Sequence, residues 1–146
     1  MVLVLIPLEI NESRLILNVS ILIQRLGLRP LKFIVDTGSP KTLIGATDSV
    51  RLGIDKYVKD SQEKETIVMG KTSMNLKILR NVKIYTKSDE NKIRTFDLPR
   101  LGVVEELLMA DINRQVVMPN LIGLDFIKEN DLSLHYISKE NKAYFD

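Results

Sequence analysis

Alternation of apolar and polar residues at every second position is the dominant pattern along the chain. Between Leu15 and Gln24, one face of such an alternation is entirely apolar and consists of Leu17, Val19, Ile21 and Ile23. The opposite face carries Asn18, Ser20 and Gln24 beside two further apolar residues. A period of two with one apolar face predicts a half-buried antiparallel strand.

Shorter apolar runs and turn signals extend this pattern. A turn is predicted at Leu26–Pro30, followed by a strand at Leu31–Val35 whose last three residues are apolar without alternation, as in strands covered on both faces. Further strands are predicted at 42–44, at 82–85 and at 121–123. Two hairpins are also predicted, one from 66–69 and 74–78 around 70–73, and one from 132–136 and 142–145.

Helical segments are few and short in this prediction. One or two turns are predicted at 47–52, ended by Gly53, and another one or two at 124–129. Residues 56–64 are predicted as a polar loop, and 93–119 as one or two strands with a short helix near 105–110. Many short strands separated by turns predict an all-β fold, barrel-like, with one or two short helices, in a single domain over 1–146.

Composition narrows the possible chemistry. The chain has 146 residues, 45% of them hydrophobic and 27% charged, which is typical of a folded domain. Its 21 basic and 19 acidic residues are interspersed, so no basic stripe predicts nucleic-acid binding. There is no cysteine and one histidine, His135, which leaves little for thiolate chemistry, histidine metal sites or Ser-His triads. No metal ion or other cofactor is expected.

The apolar start, Met1–Pro7, lacks a basic region, is too short for a secretion signal and is followed at once by Glu9. No apolar run approaches the length of a membrane span. We therefore expect a soluble cytoplasmic protein that does not contact a membrane.

The segment Phe33–Ser39 carries the clearest chemical signal. It places Asp36 directly after a buried strand, where a carboxylate is costly unless hydrogen bonds or charges offset its desolvation. Gly38 permits close backbone approach, and the hydroxyls of Thr37 and Ser39 can anchor the loop or the carboxylate. Taken alone, Asp-Thr-Gly-Ser is also a common turn composition.

With its flanks, Phe33–Ile44 resembles the retropepsin-like aspartic proteases. Their pattern is two or three apolar residues, then Asp-Thr/Ser-Gly-Ala/Ser, then a small apolar strand. Other matching elements are Leu52-Gly53-Ile54 after a short helix, a hairpin at Ile67–Ile78 around Gly70, and Leu121-Ile122-Gly123 followed by Leu124-Asp125-Phe126. The resemblance spans Leu15 to Phe145, and its specific parts are the Asp36 loop and the Gly123 element.

The resemblance implies a peptide hydrolase that consists of one acid-protease lobe per chain. Its catalytic residues would be Asp36, Thr37 and Gly38. Substrate contacts would come from Ser39, Met69, Gly70, Lys71 and Ile122, with Gly70 and its neighbours forming a flap that closes over an extended polypeptide.

The chemistry of this class requires two carboxylates. Held about 3 Å apart, they cannot both ionise and share one proton. The chain has a single Asp-Thr/Ser-Gly, since Asp48, Asp55, Asp111 and Asp125 lack the glycine loop. The second Asp36 must then come from an identical chain across a two-fold axis, with Thr37 beside that axis. A homodimer is therefore expected.

Three departures from the retroviral pattern keep alternatives open. Leu124 replaces the arginine that usually follows the second glycine, Pro40 replaces a substrate-binding acid, and 69–72 is not a glycine-rich flap tip. A protein of the same fold that serves as a dimerisation or peptide-binding module would tolerate Asp36→Asn. A small β-barrel that binds nucleic acid is a third hypothesis, which the balance of charges disfavours.

Two other motifs have simpler interpretations. Gly70-Lys71-Thr72 is similar to the end of a P-loop, but Glu65 occupies the position that requires glycine, and the alternation after it predicts a strand rather than a helix. Asp125 could be a second functional acid, but a bracing role at the start of the predicted helix is favoured.

Overall fold

The computed structural model describes residues 4–69, 72–105 and 118–146. Its strands are β1 (Ile6–Asn11), β2 (Arg14–Ile23), β3 (Gly27–Val35), β4 (Leu43–Ile44), β5 (Lys64–Met69), β6 (Thr72–Lys87), β7 (Ile93–Val104), β8 (Leu121–Ile122), β9 (Leu134–Ile137) and β10 (Lys142–Phe145). Its helices are α1 (Ala46–Arg51), α2 (Ile54–Tyr57) and α3 (Leu124–Glu129), and a 3-10 turn covers Ser138–Glu140. The all-β prediction is confirmed.

These strands join into one sheet in the order β5-β6-β7-β4-β8-β3-β2-β1-β10-β9. The long strand β6 also pairs with β2 at Ser20–Leu22, so the sheet curls back towards its own middle. Its complete closure into a barrel stays a prediction. Within the described ranges, no helix is long and apolar enough to cross a membrane.

The main core lies on the face of β2 that alternation predicts. Leu17, Val19, Ile21 and Ile23 are all buried there, and they pack in one cluster with Phe33, Phe96 and Phe126. The rings of Phe96 and Phe126 meet edge to face, with centroids 5.5 Å apart. This core supports the strand that leads to Asp36.

The predicted turn at Leu26–Pro30 is wrong. The turn ends at Leu26, and β3 runs without interruption from Gly27 to Val35, with Pro30 opposite Ser20 of β2. Proline lacks the backbone N–H but is tolerated beside a free edge. On its other side β3 pairs with β8 at Ile34 and Val35, and no described residue pairs with that edge at Pro30.

The helices also differ from the prediction. Gly53 ends α1 with a left-handed φ of 74°, as expected, but the same residue also precedes α2, which occupies the first part of the predicted loop 56–64. Helix α2 was therefore not predicted as a separate helix. Strand β1 was not predicted, and the helix predicted near 105–110 falls mostly outside the described residues.

Candidate active site

Strand β8 determines where Asp36 lies. It is inserted between two strands that are consecutive in sequence, parallel to β3 through Ile34–Leu121 and Val35–Ile122, and antiparallel to β4 through Leu43–Leu121. The loop 36–42 that joins β3 to β4 must therefore pass over the end of β8. The backbone N–H of Asp36 donates to the Ile122 carbonyl at 2.9 Å, which fixes the first residue of this loop.

A tight turn sets the direction of the Asp36 carboxylate. The Ser39 N–H donates to the Asp36 carbonyl at 3.0 Å, and the Gly38 N–H donates to Asp36 Oδ1 at 2.9 Å. A side chain at Gly38 would have its Cβ only 3.2 Å from the same Oδ1. Asp36 is half-buried, whereas Thr37 and Gly38 are exposed. The carboxylate thus sits at the base of a loop whose tip faces outward.

The second half of the loop is anchored to the start of α3. Ser39 Oγ donates to the Lys41 carbonyl at 2.7 Å, and the Leu124 N–H donates to the Ser39 carbonyl at 2.9 Å. A Cβ on Gly123 would lie 2.5 Å from the Lys41 carbonyl oxygen and 2.7 Å from that of Ser39. Only glycine lets the β8–α3 junction approach the loop this closely.

Thr42 links the loop to α3 by two hydrogen bonds. Its fully buried hydroxyl donates to Asp125 Oδ1 at 2.7 Å and accepts from the Gly123 N–H at 3.0 Å. Asp125 Oδ1 also accepts from the Phe126 N–H at 2.8 Å, which confirms the bracing role predicted for this aspartate.

Thr42→Val is expected to destabilise the fold by about 1–3 kcal/mol, because the buried Gly123 N–H loses its acceptor and the half-buried Asp125 carboxylate loses one donor. Thr42→Ser is the matched control, since it keeps the hydroxyl and loses one methyl group, worth about 1 kcal/mol. Urea unfolding of both variants measures the difference. Equal midpoints would show that the hydroxyl does not hold the loop.

Asn120 is a structural residue that the sequence analysis missed. Its buried side chain accepts from the Gly45 N–H at 2.8 Å and donates to the Lys32 carbonyl at 3.0 Å and to Asp48 Oδ2 at 2.6 Å. It therefore joins β3 to the start of α1 across β8. In the sequence, the only indication of this role is that Asn120 is a polar residue directly before the apolar pair Leu121-Ile122.

The β5–β6 hairpin shares a second core with the strands next to the Asp36 loop. The residues in this core are Leu43, Ile67, Met74, Leu76, Ile78, Val104 and Leu121. Met74, on β6, is 2% exposed and packs in this core. The hairpin therefore packs directly against the strands that flank the loop.

Charges also connect the loop to the hairpin. Lys41 Nζ lies 3.6 Å from Glu65 Oε1 on β5, and Arg100 bridges Glu65 at 3.2 Å and Glu63 at 3.4 Å. The hydrogen bond from Arg80 holds the pKa of Glu63 below its ordinary value of 4.5. These side chains are partly exposed, so the ion pairs contribute little to stability and mainly orient the two segments.

The structure brings together some of the predicted site residues. Asp36, Thr37, Gly38 and Ser39 form one turn, and Ile122 contacts it through its carbonyl. The side chains of Ser39 and Ile122 are fully buried, and their contact with substrate stays a prediction. In the hairpin, the Met69 backbone pairs with Thr72, while Gly70 and Lys71 lie outside the described residues.

Comparison with known proteins was made by sequence and by structure. No family model matches the chain, and no curated protein matches it. A crystal structure of a retropepsin-like aspartic protease from Rickettsia conorii superposes with a TM-score of 0.58 at 15% identity, covering 99% of this chain and 96% of that one. The retroviral protease-like domain of Ddi1 from Leishmania major matches with a TM-score of 0.46, also at 15% identity, covering 99% and 94%.

The fold is therefore that of the retropepsin-like aspartic proteases. The similarity to the Rickettsia protein extends over nearly the whole of both chains. At 15% identity it establishes the fold and leaves the function to be argued from the site.

Proposed function

We propose that this chain is an aspartic endopeptidase in which Asp36 residues of two identical chains activate one water molecule. The observation that carries this proposal is the Asp36 turn, with its carboxylate oriented by the Gly38 N–H, its base anchored to β8 and α3, and its tip exposed. The fold shared with the Rickettsia protease adds support.

The chemistry follows from the pairing of two such turns. One carboxylate takes a proton from water while the other, protonated, polarises the peptide carbonyl. Oδ1 of Asp36 is occupied by the Gly38 N–H, and among the described residues none donates to Oδ2. Oδ2 is therefore the oxygen available to water. Thr37, at the exposed tip, would contact its counterpart and brace the two loops.

The substrate would bind as an extended strand beneath the β5–β6 hairpin. Strand β5 is at one end of the sheet, and the hairpin and the loop share a core. The tip of the hairpin, with Met69, Gly70 and Lys71, would close over the peptide and exclude water. The whole of 1–146 would act as one domain of the dimer.

Cleavage of an unfolded protein measured across pH 3 to 7, roughly the range in which coupled carboxylates titrate, tests the proposal. We expect a maximum in acid and complete inhibition by a statine-type transition-state analogue. Absence of cleavage at every pH, from protein shown to be a folded dimer, would contradict the proposal and favour a peptide-binding module of the same fold.

A further inference from the structure

A small cavity lies between the helices α1 and α2 and the strands β6 and β7, and we call it the Ser49 cavity. Its volume is about 200 Å³, and the buried side chains of Val58, Val103 and Val104 form much of its wall. No residue of the Asp36 loop lines it, so it is separate from the candidate active site. Cavities of about 150 Å³ can hold benzene, so this space suits a ligand of about six non-hydrogen atoms.

Two polar groups in the wall of the Ser49 cavity have no hydrogen-bond partner among the described residues. Ser49, on α1, is 1% exposed, and its hydroxyl oxygen is buried without a partner. Oδ1 of Asp55, on α2, is also buried without a partner. Such groups are costly in a folded protein, and a carboxylate oxygen can only accept. Two of them on one cavity indicate a site for a ligand that donates hydrogen bonds.

The charges around the Ser49 cavity favour a cation. Lys77 donates to the Lys59 carbonyl and lies 4.0 Å from Glu105 Oε1, so its charge is already offset. The Lys59 side chain is exposed. Within the described ranges, Asp55 takes part in no ion pair, and its carboxylate is therefore the charge that a ligand can neutralise.

A primary ammonium group on a short aliphatic chain matches this combination. Its three N–H donors can serve both the Asp55 carboxylate and the Ser49 hydroxyl, while the aliphatic part contacts the valines of the wall. An anion would face the unpaired Asp55. A metal ion would need more ligands, and no group of three His, Cys, Asp or Glu among the described residues is suited to hold one.

We propose that the Ser49 cavity binds the primary ammonium group of a small alkylamine or of a lysine side chain, held by Asp55 and Ser49. The inference is independent of the proposed function, because it concerns neither the Asp36 loop nor the tip of the β5–β6 hairpin.

Two amines and one alcohol test the proposal on the wild-type protein. The probe for a free amine is n-butylammonium chloride, and the probe for a lysine side chain is N-acetyl-lysine-N-methylamide. At pH 7, where both amines are charged, we expect saturable shifts of the amide signals of Ser49, Asp55 and Val104 in proton–nitrogen NMR spectra. The dissociation constant should be about 1 mM, because so small a ligand makes few contacts. The uncharged n-butanol should bind at least about tenfold more weakly, because charge-assisted hydrogen bonds are the stronger ones.

Substitutions at the two polar groups test their roles. Asp55→Asn keeps the size of the side chain and should weaken n-butylammonium binding at least about tenfold, because the carboxylate charge is lost. Asp60→Asn is the matched control, since Asp60 is exposed and does not line the cavity. Ser49→Ala should also weaken binding without lowering the urea midpoint of the free protein, because the hydroxyl has no partner to lose. A serine with a merely structural role would lower that midpoint.

The outcomes separate an ammonium site from other uses of the cavity. Saturable binding of either amine supports the proposal, and the amine that binds more tightly identifies the source of the ammonium group. Equally tight binding of n-butanol, or undiminished binding by folded Asp55→Asn protein, would overturn the assignment to a cation. Absence of any saturable shift in the wild type would mean that the cavity holds only water and would overturn the site. The comparison of n-butylammonium with n-butanol needs no variant, and none of these results depends on peptide cleavage.

Discussion

Asp36→Asn is expected to abolish peptide cleavage while leaving the fold and the dimer intact. An amide can neither take a proton from water nor share one with the second carboxylate, and general acid–base catalysis contributes about 10²–10⁴-fold in rate. The fold should survive because the amide oxygen of asparagine can still accept the Gly38 N–H that Asp36 Oδ1 accepts at 2.9 Å. The rate of cleavage of an unfolded protein at the acid optimum measures the effect.

Asp60→Asn is the control for this prediction. Asp60 is exposed, in the loop before β5, and the same change there should leave the rate at the wild-type value. Full activity of the Asp36→Asn variant would refute the mechanism and make the peptide-binding interpretation the better one.

Mixing the two proteins tests whether one site uses two chains. When excess Asp36→Asn protein is added to wild type, subunit exchange should convert active homodimers into heterodimers with a single carboxylate. The activity should then fall below that of the same wild type without addition. If activity is unchanged although exchange is demonstrated, each chain carries a complete site.

Gly123→Ala is expected to destabilise the protein by about 3 kcal/mol and to displace the Asp36 loop. The new Cβ would lie 2.5 Å and 2.7 Å from the carbonyl oxygens of Lys41 and Ser39, which are backbone atoms and cannot turn away. The backbone at Gly123, with φ −98° and ψ −176°, suits any residue, so the expected cost is steric. If the clash pushed the Asp36 loop away from the β8–α3 junction, the hydrogen bond from the Leu124 N–H to the Ser39 carbonyl would also weaken.

Gly102→Ala is the matched control for Gly123→Ala. Its Cβ would lie 2.7 Å from Leu76 Cδ1, the end of a flexible side chain that can rotate. Urea unfolding should show a clearly smaller loss of stability at Gly102 than at Gly123. Equal losses would mean that the β8–α3 junction does not hold the loop as tightly as the structure indicates.

The local features of the fold could be predicted from the sequence because their causes are local. The buried face of β2 follows from a period of two, and the end of α1 follows from the left-handed conformation that Gly53 adopts easily. The same holds for the turn at Asp36, where a short polar side chain bonds the backbone two residues later.

The predictions that were wrong concern segments in which strand pairing or core packing outweighed the local preference of the residues. Pro30 suggested a turn, yet β3 continues through it because its pairing with β2 is long and no described strand pairs with the other edge there. The loop predicted at 56–64 contains part of α2, since Ile54 and Val58 are buried on the main core. Their spacing of four residues became informative only once the core was known.

The sequence by itself determined the strand-rich fold class, the position of Asp36 after a buried strand, and the need for glycine beside it. Only the tertiary structure decided what holds that aspartate. Thr42 bonds residues 81 and 83 positions away, and Asn120 bonds Gly45 at a separation of 75. Threonine and asparagine in such stretches are compatible with ordinary turns, and their partners are chosen when β8 inserts between β3 and β4. Hydrogen bonds between distant segments depend on that packing, which no local pattern encodes.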